Sequence, residues 1–403
     1  MKYRSFVLKR KIEAVAIQPF VWIGRLIAAL SPAARQYSHV YFFPFYHIGG
    51  AEKLHYQIAQ ATGGPDCIIY FTRKSNSTFF LDEFRKSGCE IRDISKLTDN
   101  KFLYFLNLVM RGVISHRINR QPKRPVVFNG QSNFGYKISP WIGSAVPQIE
   151  LIHALNTFSL IRLPFLSFYT RSITVSQEIV DKHRILYQDK EVPLYAWQKF
   201  SYISSKVKLP VEKKYRSDSE AKPFVVLYVG RATDEKRPWI ASAVAKALAQ
   251  GNDQYRFEFA GEVAARIPQD EKRFCHFHGD VQDEEILGRL YASSHLLIIP
   301  SLSESGPLVL MEAMARGAVV ISTPVGIVNL HLKNGISGFV INALSTDQEV
   351  AAELTLYIEK LYRNREELAR ISEYSVDYAF EHFDLSTLAR EYQDLFYSLT
   401  PGT

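Results

Sequence analysis

A chain of 403 residues exceeds what one hydrophobic core usually serves, so two domains is the natural expectation. With 47% hydrophobic and 22% charged residues, its composition is that of ordinary globular proteins, which excludes a disordered or fibrous chain. The formal net charge of +8 points to anionic partners; the three cysteines, Cys67, Cys89 and Cys275, lack CxxC or CxxH spacing, argue against a disulfide framework or structural zinc, and fit a reducing cytoplasm.

Residues 1–38 read as a basic amphipathic extension. Lys2, Arg4, Lys9, Arg10 and Lys11 lead into the apolar run IEAVAIQPFVWIGRLIAAL, interrupted by Glu13, Pro19 and Arg25. A spanning helix wants about 20 nearly uncharged apolar residues, and a signal peptide wants a small-residue cleavage site. Neither description fits well. Two readings stand side by side: a helix packed on the protein's own surface, or one lying in a membrane interface with Phe20, Val21, Trp22 and Ile23 among lipids and its cations near lipid phosphates.

Short apolar runs then alternate with helical patterns, the signature of parallel sheets built from βαβ units. Residues 39–205 carry HVYFFPFY (39–46), CIIYF (67–71), VVFNG (126–130), QIELIH (148–153) and SITVS (172–176). Between them DNKFLYFLNLVMRGVISHRINR (99–120) is amphipathic at helical spacing. Residues 206–223, rich in charge and proline without apolar periodicity, read as a linker. In 224–378 the pattern restarts with FVVLYVG (224–230), RFEFAG (256–261), FCHFHG (274–279), HLLIIPS (295–301) and AVVISTP (318–324). Asp283 suits the N-cap of a helix whose apolar stripe is Ile286, Leu287, Leu290 and Tyr291. In 379–403, Leu388, Tyr392, Leu395 and Phe396 follow the spacing of a last packed helix.

The most informative segment is 298–324. A buried strand ends, a Ser/Gly/Pro turn follows, and a helix opens near Pro307, whose φ is preset and which has no amide to waste. Ser305 and Gly306 let backbone approach a ligand, and the amides at this helix start suit an anion such as a diphosphate. Glu304 and Glu312 flank the turn, and carboxylates accept vicinal sugar hydroxyls in bidentate fashion. Taken alone, two such glutamates are ordinary solvated helix charges. The loop GRATDEK (230–236), leaving the first strand of this half, adds Arg231 and Lys236, cations suited to neutralise a diphosphate leaving group.

Together, GR with Lys five positions after the Arg, FHGDV, PSLSESGP and LMEAMARG resemble glycosyltransferase family 4 over most of 224–340. The resemblance implies an α/β, GT-B architecture: two Rossmann-like, doubly wound parallel-sheet domains facing across a cleft. It also implies retaining transfer of a sugar from a nucleotide-sugar donor, UDP-, GDP- or ADP-linked, with no bound metal and no cofactor. Matched by position, Arg231 and Lys236 hold the diphosphate, the backbone near Val281 meets the base, and Glu312 holds the ribose hydroxyls. Glu304, with the backbone around Gly306, Pro307 and Leu308, meets the donor sugar or phosphates. HIGGAEK (47–53) resembles the family's glycine-rich first loop, bringing Gly49 and Gly50 to the donor or acceptor; a plain tight turn explains the two glycines equally well. His153 matches a position near the transferred sugar, where a satisfied core histidine is the ordinary alternative. The last helix resembles one that crosses back to the first domain. Two departures stand out: no PNGVD-like turn precedes the linker, and TPVGIVNLHLKNG (323–335) lacks the common second Gly and Glu.

The acceptor this implies is a glycan or lipid-linked glycan in cell-surface polysaccharide or glycolipid synthesis. The enzyme would be cytoplasmic, with peripheral contact to an anionic membrane as the interfacial reading of 1–38 requires. Rival readings are a nucleotide-sugar epimerase of the same fold, which needs no acceptor, and a non-catalytic sugar-nucleotide-binding module. A nucleic-acid-binding protein would explain the charge, but no recognisable DNA or RNA motif is present.

Overall fold

The computed structural model describes residues 1–31, 35–100, 102, 104–215, 223–251, 253–304, 306–342 and 346–400. The chain forms two compact units: Met1–Ser204 together with Leu388–Thr403, and Ser205–Thr387.

Unit 1 is built on a seven-stranded, wholly parallel sheet: β1 (His39–Phe43), β2 (Cys67–Phe71), β3 (Glu90–Asp93), β4 (Val126–Asn129), β5 (Gln148–Ile152), β6 (Arg171–Thr174) and β7 (Phe200–Tyr202), in the order β3-β2-β1-β4-β5-β6-β7. All of β2, β4 and β5 is buried, as expected where helices cover both faces of a parallel sheet. The five apolar runs read from sequence here all become strands; β3 and β7 are additional edge strands. The chain's last helix, Leu385–Tyr397, buries Leu388, Tyr392 and Phe396. The Phe396 ring packs against His39, Tyr41 and Phe128 on this unit.

The N-terminal segment is a single helix, α1 (Tyr3–Leu30), running through Pro19. Tyr3, Val21, Gly24 and Ala28 are its buried residues. It packs along the helix Tyr104–Asn119 with two glycines at the crossing. A Cβ on Gly24 would lie 2.0 Å from the Val109 carbonyl oxygen, and one on Gly112 would lie 2.1 Å from that of Val21. The packed reading of this segment is therefore correct for one face of the helix.

Unit 2 carries a six-stranded parallel sheet: β8 (Phe224–Val229), β9 (Tyr255–Ala260), β10 (Cys275–Phe277), β11 (Leu296–Ile299), β12 (Val319–Ser322) and β13 (Phe339–Val340), in the order β10-β9-β8-β11-β12-β13. The helix Glu284–Ser293 is capped by Asp283, whose carboxylate accepts from the amides of Glu285 and Ile286. Its apolar stripe is narrower than expected, because Ile286 is exposed while Tyr291 is buried. Residues 206–215 lie on this unit: Val207 is buried and exchanges backbone hydrogen bonds with Phe383 and Leu385, and Lys213 and Tyr215 both bond Asp377. The rest of the segment read as a linker, 216–222, lies outside the described residues.

Candidate active site

In each sheet the strand order reverses beside the first strand, between β1 and β4 and between β8 and β11. Loops leaving two such strands diverge and open a crevice at the carboxyl edge, where ligands of doubly wound folds bind. Most of the residues singled out from sequence leave the sheet at these two edges.

In unit 2 the loop after β8 folds back on itself through Thr233 N–H to Arg231 O (2.9 Å) and Lys236 N–H to Thr233 O (3.1 Å). It passes so close to β9 that a Cβ on Gly261, at φ 122°, would come within 2.0 Å of the Gly230 carbonyl oxygen. The loop after β11 is joined to it by Leu302 N–H donating to Glu235 O at 2.7 Å. There Lys236 and Glu304, distant in sequence, form an ion pair, and the Ser301 hydroxyl donates to the same carboxylate oxygen at 2.8 Å. The Glu304 side chain is only 9% exposed, so this charge is sheltered and partnered. Burial, and then the nearby Glu304 carboxylate, push the Tyr228 phenol well above its usual pKa; its hydroxyl donates to the Lys236 carbonyl.

Arg231 is exposed and makes no ion pair or side-chain hydrogen bond with any described residue. The next residue after Lys236, Arg237, was not singled out from sequence. It sits in the left-handed region at φ 47° and is 4% exposed. Its guanidinium donates to the carbonyls of Pro300 (2.7 Å) and Ser301 (3.3 Å) and pairs with Asp347, which also accepts from the Trp239 indole. Arg237 thus ties the two loops together from below and fixes where Lys236 meets Glu304.

The helix after this turn, Leu308–Met314, starts one residue later than expected: Pro307, with ψ 103°, caps it from outside. The helix is only seven residues long, so its end charge acts over the adjacent turn alone. Ser305 lies outside the described residues. A Cβ on Gly306 would meet only Ile327, at 3.7 Å, which leaves backbone accessible there. Glu312, half-buried on the helix, accepts from the Tyr291 hydroxyl at 3.0 Å; burial, and then the Glu312 charge, hold that phenol well above its usual range. Glu304 and Glu312 therefore each have a separate orienting partner. Val281 is half-buried in the loop between β10 and the helix Glu284–Ser293, and the adjoining Asp280 amide bonds Glu262.

In unit 1, Gly49 caps α2 (Gly50–Thr62) in extended backbone, φ 177°, so no tight turn demands glycine here; a Cβ on it would instead run into the Glu52 carboxylate. A Cβ on Gly50 would find open space. His153 follows β5, and its Nε2 lies 2.8 Å from Nε2 of His55, a buried residue of α2 that sequence reasoning missed. Burial pushes His153 down to about 4, and burial followed by the neighbouring ring pushes His55 well below its usual value, so both are neutral near pH 7. One of the facing nitrogens must carry the proton. Because His55 Nδ1 is buried with no hydrogen-bond partner among the described residues, and an orphaned buried N–H is rarer than an unused acceptor, the proton belongs on His55 Nε2. His153 then keeps its own proton on Nδ1 and presents a donor. His55 is held by stacking on Phe43 (4.6 Å), and a Cβ on Gly130 would come 2.8 Å from its Nε2.

A cavity of about 220 Å³ in unit 1, edged by Arg35, Arg92, Arg117, Tyr37 and Tyr70, shares no residue with this set. Among the described residues no group of three or more His, Cys, Asp or Glu is placed to hold a metal ion.

Two parallel-sheet Rossmann-like units in one chain make the GT-B fold, and the comparisons agree on the class. Residues 211–377 match the family model described as glycosyl transferases group 1, a stretch that includes Arg231, Lys236, Glu304 and Glu312. A curated relative, D-inositol 3-phosphate glycosyltransferase of Rhodococcus erythropolis, is 32% identical over 101 residues, 25% of this chain; the match spans only 23% of that protein. Among solved structures, Anabaena HepE in complex with UDP-glucose superposes with a TM-score of 0.68 at 15% identity, covering 89% of this chain and 99% of that one. The lipopolysaccharide outer core galactosyltransferase WaaB gives 0.64 at 12% identity, covering 89% and 99%. Together they support a glycosyltransferase.

Proposed function

We propose that the protein is a retaining, metal-independent glycosyltransferase of the family 4 type, acting on a nucleotide-sugar donor. The observation that carries this reading is the convergence of Lys236 and Glu304 at the unit 2 switch point, beside the exposed Arg231. A lysine already held in place by a carboxylate is oriented before the donor arrives, which lowers the reorganisation needed to meet a diphosphate. Arg231 supplies the second positive charge, Glu312 the ribose acceptor, and backbone near Val281 the contact to the base. The backbone of Gly306, Pro307 and Leu308 accommodates donor phosphates. Gly50, and Gly49 through its backbone, face donor or acceptor, although only Gly50 has open space where a Cβ would stand, and His153 offers an N–H to a sugar oxygen.

In the step itself the anomeric C–O bond to the diphosphate breaks while the acceptor oxygen bonds the same face of that carbon. The acceptor's proton passes to the leaving phosphate oxygen. UDP-sugars are the first donors to test, since HepE binds UDP-glucose. The acceptor is proposed to be a glycan or lipid-linked glycan in surface polysaccharide or glycolipid synthesis, met at the cytoplasmic face of a membrane; WaaB, of the same fold, acts on lipopolysaccharide outer core.

The test is thermal stabilisation by UDP, GDP, ADP and CDP. One diphosphate at about a hundred times its Kd should stabilise by about 2.7 kcal/mol, and the shift should shrink in Glu312→Ala. Absence of any shift from all four would overturn the donor site.

A further inference from the structure

By length and composition α1 is apolar enough to cross a membrane, yet it does not stand free. With about 100° between successive residues, Tyr3, Val21, Gly24 and Ala28 fall on one side, facing unit 1. The opposite side presents Leu8, Ile12, Val15, Trp22, Leu26 and Leu30, each between 58% and 80% exposed. Singly exposed apolar residues need no explanation, but a continuous stripe along a helix of about 40 Å marks a surface that something covers. We infer that this outward face of α1 docks on an anionic lipid bilayer, with the helix lying in the plane of the interface.

Charge chooses the bilayer over a second copy of the chain. Exposed Arg4 and Lys11 border one side of the stripe and Lys9 the other, while Glu13 is the only acid in α1. Two such faces pressed together in parallel would oppose like charges, and antiparallel they would give these cations no acid to pair with, whereas lipid phosphates complement them. Packing argues against a span. To cross a bilayer α1 would have to leave the helix Tyr104–Asn119 and give up the contact between Gly24, Gly112 and the facing carbonyls. Pro19, exposed on the same stripe, also leaves the carbonyl one turn earlier without its helical donor, a group better placed among headgroups than in hydrocarbon. Trp22 and Phe20 suit the interfacial level. This docking surface would bring the enzyme to a membrane-borne acceptor, a consequence that rests on the proposed glycosyl transfer, whereas the surface itself does not.

The test uses the full chain and sedimentation with phosphatidylcholine vesicles containing about one third phosphatidylglycerol. The wild type should co-sediment and be stripped by alkaline carbonate. Val15→Glu/Leu26→Glu, at exposed positions, should reduce the bound fraction at least about tenfold while the thermal shift with the stabilising nucleoside diphosphate stays that of the wild type. Arg4→Gln/Lys11→Gln should weaken binding to these vesicles more than to phosphatidylcholine alone. Unchanged binding of the Glu variant, resistance to carbonate, or a dimer that the Glu variant splits without affecting vesicle binding would each overturn the inference. Vesicle binding lost in the Glu variant with no shift from UDP, GDP, ADP or CDP in either protein would uphold this surface and sink the donor reading instead.

Discussion

Arg231→Ala is expected to lower kcat about 10²- to 10³-fold while leaving the Tm of the ligand-free protein unchanged. The stability half follows from exposure: Arg231 makes no side-chain hydrogen bond or ion pair with a described residue, so its removal strands no polar partner. The catalytic half follows from where charge develops. As the glycosidic bond breaks, negative charge grows on the diphosphate, and a cation aimed there interacts more strongly with the transition state than with the bound donor. Lys236 is a poorer test of the same idea, because its loss would also leave the sheltered Glu304 carboxylate without its counter-charge. If Arg231→Ala kept the wild-type kcat and only raised the donor KM, the residue would be a ground-state anchor, and the transition-state role would be wrong.

The second large effect belongs to the core of unit 1. Glu150 and Arg162 are both fully buried and ion-paired; Ser172 donates to the same carboxylate at 2.6 Å, and Arg162 donates to the Tyr187 hydroxyl at 2.7 Å. Arg162→Leu should cost about 3–5 kcal/mol, because it leaves a buried carboxylate without its counter-charge. At roughly 2–4 °C per kcal/mol for a unit of this size, Tm should fall by about 10 °C. The double variant Glu150→Leu/Arg162→Leu should recover much of that loss, since no charge remains stranded. Equal Tm values for the single and double variants would show that shape, and not the stranded charge, sets the cost. The network matters to the site because β5, which carries Glu150, runs directly into His153.

The central strands were legible because parallel strands buried on both faces read as unbroken apolar runs bounded by Gly, Pro or Ser. Of the four edge strands only β10 offered a run, FCHFHG. β3 is Glu-Ile-Arg-Asp, three of its four residues charged as suits an edge, and β7 and β13 are three and two residues long. At the site, the residue types of Arg231, Lys236, Glu304 and Glu312 were readable from loop position, but the meeting of Lys236 with Glu304 depends on which strands are neighbours, and that is set by topology. Arg237 had no local signal, since its partners are Pro300, Ser301 and Asp347. His55 left a trace: a polar residue among Leu54, Ile58 and Ala59 on the buried side of α2. In α1 the two opposite apolar faces blur any single amphipathic stripe, so the packed and interfacial readings looked like alternatives when one helix has a face for each.

The most direct measurement of the central claim is the fate of the donor's anomeric proton, followed by NMR with UDP-glucose, GDP-mannose and ADP-glucose and with water or a membrane extract as acceptor. The account predicts that one donor is consumed, that nucleoside diphosphate is released in equal amount, and that the new glycosidic or hydroxyl bond keeps the donor's configuration, all strongly slowed in Arg231→Ala. Inverted product, or no consumption of any donor by a folded protein, would contradict it.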